Sequence, residues 1–325
     1  MSLAPTRREV IRATLLIAMS ACCFGSISPL SLIALKSGVA LPGIQAWRYV
    51  TTSVLLFLYA AWRPSPVHPA AARATGLNAA PWYSPRVLLL AGGGQATVAT
   101  LALMSLRWIP ASTSAFLFYT YPAWVAIMTA VRGVEPLGAP RVAALELSWG
   151  GIAAMVGTPT ASTLNPLGVL VSLLAALVYA GYIPVLSALQ RTRTPLDVAR
   201  AISVGGAILF LTWALATGTL FAHHDMRSLT ASIGQGVLSA GAFVGFLAGL
   251  SQLGAVRAAI TSTIEPFWTT LLGLMLLGQP LARGTLVGGV AIMVAVLLLQ
   301  RPNVAPRWLR SSSVRDDDRA GRPTL

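Results

Sequence analysis

An acid inside a greasy helix is the first residue of this chain that could do chemistry. Glu265 stands in "TSTIEPFWTTLL" (261–272), within a long apolar run, and Pro266 follows it. It lies about ten residues into that run, ~15 Å deep. An ionised carboxylate at that depth costs on the order of 3 kcal/mol, so Glu265 must face protein or a water-filled cavity. Two roles fit: a site that binds an ammonium group or exchanges a proton, or an acceptor of hydrogen bonds from a neighbouring helix. Arg48 is the other charge within an apolar run. It either snorkels to the interface or binds a carboxylate. Arg48 and Glu265 in one cavity would suit a zwitterionic amino acid. Tyr119, Tyr121, Trp124, Tyr179, Tyr182 and Trp268 fall mid-run, away from the interfacial belt, where they either stack on a flat substrate or pack helices. Gln95, with Thr97 and Thr100, adds hydrogen-bonding capacity. Pro122 and Pro266 lack an amide hydrogen and crowd the preceding turn, so each is read as a bend, acting as a hinge or standing as a static kink.

Other chemistries lack their residues. No glycine-rich phosphate loop is present, so this chain does not drive transport by ATP. Three histidines (His68, His223, His224) fall in loops, with no metal-ligand spacing. Cys22 and Cys23 are adjacent and apolar in setting, a poor geometry for a disulfide. No Ser–His–acid set lies within the apolar runs, and no cofactor is expected.

The elements that must position these residues are membrane helices. Of 325 residues, 55% are hydrophobic and 10% charged, with a mean hydropathy of +0.72. A soluble domain is nearer a quarter charged, so the expected class is an all-α polytopic membrane protein. Ten spans are expected at roughly 12–35, 43–62, 86–106, 110–131, 141–157, 166–189, 196–218, 231–252, 255–277 and 283–300. The fifth is short and carries Glu146. "MSAC" (19–22) looks like a lipoprotein cleavage site, but the apolar run continues to Leu35, as in an uncleaved first helix. Residues 1–11 read as an N-terminal tail, 63–85 as a Pro- and Ala-rich loop, and 301–325 as a basic disordered tail.

The arginines set the expected orientation. With the N-terminus in the cytoplasm, inner segments receive 18 of the 23 basic residues and outer loops four. Positive-inside bias then places both termini in the cytoplasm and explains the net charge of +14 without nucleic acid.

The chain also repeats itself. At an offset of 144, "YPAW" (121–124) falls on "EPFW" (265–268), and "VEPL" (134–137) on "GQPL" (278–281). At an offset of 155, Phe24 falls on Tyr179 and Pro29 on Pro184. Five spans per half is an odd number, so 166–300 would enter the membrane opposite to 12–157. That is an inverted-topology repeat, with a site expected in a central cavity near the midplane.

On these residues the chain resembles the drug/metabolite transporter superfamily, in its ten-helix exporter branch with two EamA-type domains. "FGSISPL" with Lys36 is similar to the family's opening pattern, with Phe24 where tryptophan is usual. Arg48 in "AWRY" matches an arginine often found in the second helix. "ASTSAFLFYTYPAWVAIMTAVRGVEPL" and "AVRAAITSTIEPFWTTLLGLMLLGQPL" resemble two copies of the family's proline-bearing helix. Glu135 keeps the acid that follows it and Gln279 does not. The resemblance implies a non-enzymatic exporter of amino acids, other metabolites or drugs across the inner or plasma membrane. It would work by alternating access, driven by the substrate gradient or by proton exchange. The other classes weighed are an intramembrane enzyme, which needs clustered polar catalytic groups at one face, and a receptor or assembly subunit, which needs a larger extramembrane domain.

Overall fold

The computed structural model describes residues 7–62, 81–133, 138–157, 164–190, 192–222, 225–253 and 255–299. The 301–325 tail, most of the 63–85 loop, Glu135 and all three histidines lie outside the described residues. Among the described residues the chain is helical throughout, without strands. We number ten helices in chain order. The first five are α1 (Arg7–Lys36), α2 (Leu41–Trp62), α3 (Pro85–Ser105), α4 (Ala111–Val131) and α5 (Ala139–Gly157). The next four are α6 (Pro166–Gln190), α7 (Pro195–Ala216), α8 (Met226–Leu253) and α9 (Ala255–Ser262 continued by Ile264–Leu277). The last is α10 (Arg283–Leu299). Seven of them contain stretches long and apolar enough to cross a membrane. The others are α2, whose apolar run is diluted by Gln45, Arg48 and hydroxyl residues, α5 with Glu146, and α10, which is apolar but 17 residues long. The protein is therefore a multi-pass membrane protein. α1 begins at Arg7, inside the stretch expected as a tail.

Backbone chemistry explains where helices stop and bend. Thr194 caps α7: its hydroxyl accepts from the Asp197 amide at 3.1 Å, and Pro195 supplies the first turn. Gly278 ends α9 with φ +58°, a left-handed position that suits glycine. Three helices are interrupted: α1 at Ser26, α4 at Tyr119–Thr120 and α9 at Thr263. Each interruption falls two or three residues before a proline: Pro29, Pro122 or Pro266. Proline has no N–H to give the carbonyl four residues back and its ring crowds that carbonyl, so the turn ahead opens. α3 is irregular in another way, with a π-helical turn at Leu89–Gly93.

Most of the packing follows an exchange rule. α2 packs on α7, α4 on α9 and α5 on α10, while α1 packs on α8 and α3 on α6. Replacing each helix n by n+5 turns the α1–α8 contact into α6–α3, and the α1–α9 contact into α6–α4, both of which are present. At two crossings the backbones touch. A Cβ on Gly205 of α7 would strike the Leu88 carbonyl and Gly92 of α3, and Gly151 of α5 meets Gly288 of α10 in the same way. Large apolar side chains such as Leu58, Leu90, Leu170 and Met275 point outward, toward the lipid.

Gly205→Ala should therefore force α3 and α7 apart and cost about 1–3 kcal/mol. A lowered thermal midpoint in detergent would register it. Gly181→Ala, with nothing within 4 Å of the new methyl, should leave the midpoint unchanged or raise it.

Candidate functional site

The interruption of α9 places Glu265 at the second position of its second segment, where the chain meets α1 and α4. Pro266 leaves the Ser262 carbonyl without its helical partner. The Tyr119 hydroxyl of α4 donates to that carbonyl at 2.8 Å, and lies 2.9 Å from Glu265 Oε2. No basic side chain pairs with Glu265 among the described residues. The residue is partly accessible, whereas Tyr119 is buried.

α1 repairs its own gap in the same manner. Pro29 leaves the Gly25 carbonyl free, and Thr269 of α9 donates its hydroxyl to it at 2.8 Å. A Cβ on Gly25 would stand 2.8 Å from the Glu265 carbonyl, so only glycine lets the two broken helices cross this closely. Trp268 seals the crossing: its Nε1 donates to Ser26 Oγ at 3.0 Å, and Ser26 donates to the Cys22 carbonyl at 2.8 Å. Thr269 and Ser26 were not singled out by sequence reasoning. The signal was available, since a hydroxyl three residues after a membrane-embedded proline is a ready cap for a neighbour.

From Glu265 a row of tyrosine rings runs away through α4 and α6. Tyr119 and Tyr121 have centroids 5.9 Å apart, Tyr121 meets Tyr179 edge-on at 4.9 Å, and Tyr179 lies 6.4 Å from Tyr182. Phe118 fills the angle between Tyr121 and Tyr179. Tyr182 is buried and its hydroxyl donates to the Ala91 carbonyl in the π-turn of α3. Beyond it, Gly94 gives the Tyr182 ring room, and Gln95 faces Tyr49 of α2. Among the described residues the Tyr49 hydroxyl has no partner at full hydrogen-bond geometry.

Arg48 stands at the far end of this row, its guanidinium 5.0 Å from the Tyr49 ring centroid. It is 6% exposed, so it does not snorkel. Its Nε donates to Ser239 Oγ of α8 at 3.0 Å and its Nη1 to Gln45 Oε1 at 3.3 Å. The structure thus brings together Glu265, Tyr119, Tyr121, Tyr179 and Tyr182, with Trp268 one turn beyond the acid. It puts Arg48 in a separate cluster that Gln95 and Tyr49 connect to the row.

Other residues take different positions. Trp124 leaves the row and stacks edge-on against Trp149 of α5 at 5.4 Å. Thr97 and Thr100 line a groove of about 330 Å³ between α3 and α7, with Leu209 and Trp213 at its exposed lip. Of the expected lining residues only these two threonines border it; Gln95, the tyrosines, Trp268, Arg48 and Glu265 do not. Gln279 has a local task, its Oε1 accepting the Ala111 amide at the start of α4 at 3.1 Å.

Comparison with known proteins bears on the same helices. Residues 166–301 match the EamA-like transporter family, so the second half of the chain is an EamA-like domain, consistent with the drug/metabolite transporter superfamily. No curated protein matches the chain. A crystal structure described only as that of a protein superposes with a TM-score of 0.59, over 91% of this chain and 97% of its own. At 19% identity that likeness is one of fold. The domain points to a membrane transporter of the drug/metabolite type.

Thr269→Val keeps the volume and removes the cap on the Gly25 carbonyl. It should lower stability by about 1–3 kcal/mol, read as a fall in the detergent unfolding midpoint.

Proposed function

We propose that this chain, with its EamA-like domain at 166–301, exports a small organic molecule across the cytoplasmic membrane by alternating access. The best substrate class is an amino acid or a related amphipathic metabolite. The observation that carries this is the Glu265 carboxylate at a helix break, with no cationic partner among the described residues, partly accessible and flanked by tyrosines from helices of both halves. A carboxylate so placed binds an ammonium group by charge, and tyrosine faces hold a flat or apolar portion beside it.

The hydrogen bonds around Tyr119 favour proton exchange as the drive. A phenol carries one proton, yet the Tyr119 hydroxyl lies within bonding distance of two acceptors, the Ser262 carbonyl and Glu265. With Glu265 ionised, one of them goes short. With Glu265 protonated, the acid donates to the Tyr119 oxygen, Tyr119 donates to Ser262, and all three are satisfied. Among the described residues the other titratable groups close to Glu265 are Cys22 of α1, Tyr121 of α4 and Tyr179 of α6, and none of these brings a positive charge. A substrate's ammonium group loaded in place of the proton keeps the Glu265 carboxylate neutralised, as coupled exchange requires.

The exchange rule in the packing supports two related halves, and with the arginine count it supports an inverted arrangement with both termini in the cytoplasm. Pro122 and Pro266 then serve as hinges beside the site. They open turns in α4 and α9, the helices that carry Tyr119 and Glu265.

Export from loaded proteoliposomes across a panel of amino acids and amphipathic metabolites, with and without an imposed pH gradient, tests the reading. Glu265→Gln mimics the protonated acid, so it should fold normally, lose its response to the gradient and export at least about tenfold more slowly. Undiminished, still gradient-driven export by Glu265→Gln would exclude the mechanism. Pro122→Ala and Pro266→Ala should each slow turnover severalfold with binding retained. Normal turnover in both would remove the hinges.

A further inference from the structure

The Arg48 cluster is unusual in what it lacks. The guanidinium is buried between α2 and α8, and neither helix contains an acidic residue. Its neighbours are neutral: Gln45, Ser239 and the Tyr49 ring. Among the described residues its Nη2 donates to nothing. A buried cation without a counter-charge is costly unless something supplies negative charge.

The surrounding donors are also in surplus. Gln45 is fully buried, and its Oε1 accepts from Arg48. A guanidinium only donates, so this bond fixes which end of the Gln45 amide faces it. Gln45 Nε2 is left with no partner. Gln235 of α8, equally buried, accepts from Ser31 of α1 at 2.8 Å, and its Nε2 is also unpaired. Buried amide nitrogens are rarely orphaned, yet among the described residues the Gln45 nitrogen beside the guanidinium and the Gln235 nitrogen on the adjoining α8 both lack a partner. The Tyr49 hydroxyl aside, which can donate or accept, the unmet groups here are donors. The missing partner is therefore an acceptor, and the charge makes it an anion.

We propose that the Arg48–Gln45–Gln235 cluster is a binding site for one small monovalent anion, either a carboxylate group or a free halide. It is separate from Glu265 and does not depend on the transport reading. Arg48 lies seven residues from the start of α2, ~10 Å from that end of the helix.

The test uses the purified full-length protein in detergent. Its unfolding midpoint is followed by tryptophan fluorescence while sodium acetate or sodium chloride replaces sodium MES, a bulky sulfonate, at constant ionic strength. The midpoint should rise saturably in at least one of the two salts. Saturation by acetate alone assigns the site to carboxylates, by chloride alone to halides, and by both to small anions generally. Arg48→Gln should abolish the response. Gln235→Leu, which keeps the volume and both Arg48 contacts, should raise the half-saturating concentration by about tenfold or more. If Arg48→Gln does not fold, Gln235→Leu decides. Equal midpoints in all three salts, or a Gln235→Leu response identical to that of the unaltered protein, would overturn the proposal.

Discussion

In a bilayer the backbone has no water to fall back on, and most of what is particular to this protein follows from that constraint. A helix satisfies its own carbonyls, so it can lie in lipid unaided. A proline inside it frees one carbonyl, which must then find a donor on another helix. Here the Gly25 carbonyl takes Thr269 and the Ser262 carbonyl takes Tyr119. α1, α4 and α9 are joined at their defects, and the joint is where the acid sits. The same event that bends α9 brings Tyr119 to within 2.9 Å of Glu265. Bend and charge are parts of one arrangement.

Sequence reasoning located the helices well because lipid imposes a length and a composition on each. The α6 and α7 boundaries agree with the expected spans to within one or two residues at each end. It also selected Glu265 and the tyrosines, since charge and mid-helix aromatics are conspicuous in apolar runs. What it could not supply was direction. Tyr119, Tyr121, Tyr179 and Tyr182 look equivalent on paper. In three dimensions Tyr182 is committed to the Ala91 carbonyl and Tyr119 to Ser262 and the acid, while Tyr121 and Tyr179 stay partly accessible. Nor was it visible that Arg48 would be surrounded by amides and hydroxyls, because Gln235 and Ser239 come from a helix some 190 residues away. Hydrogen-bond partners at that separation leave no local pattern.

The two charges differ in how the protein tolerates them. Arg48 cannot shed its charge, so the fold surrounds it with neutral acceptors and an aromatic face. Glu265 can take up a proton, and among the described residues no cation pairs with it. A permanent charge in a closed cluster suits a fixed binding role. An optional charge at a helix break suits a group that changes state.

The matched sequence positions sharpen this contrast, because the α1–α9 crossing has the joint and the corresponding α6–α4 crossing does not. At an offset of 155, Gly25, Ser26 and Pro29 of α1 become Ala180, Gly181 and Pro184 of α6. At an offset of 144, Glu265, Trp268 and Thr269 of α9 become Tyr121, Trp124 and Val125 of α4. Valine cannot cap a carbonyl, alanine resists the close crossing, and glycine gives the tryptophan no hydroxyl. The consequences are all visible: α6 runs through Pro184 as a continuous helix, Pro184 is exposed, and Trp124 turns away to Trp149. Pro29 and Pro184 thus stand in matching places, and differences at three facing positions leave one beside an acid-bearing joint and the other inside a continuous helix.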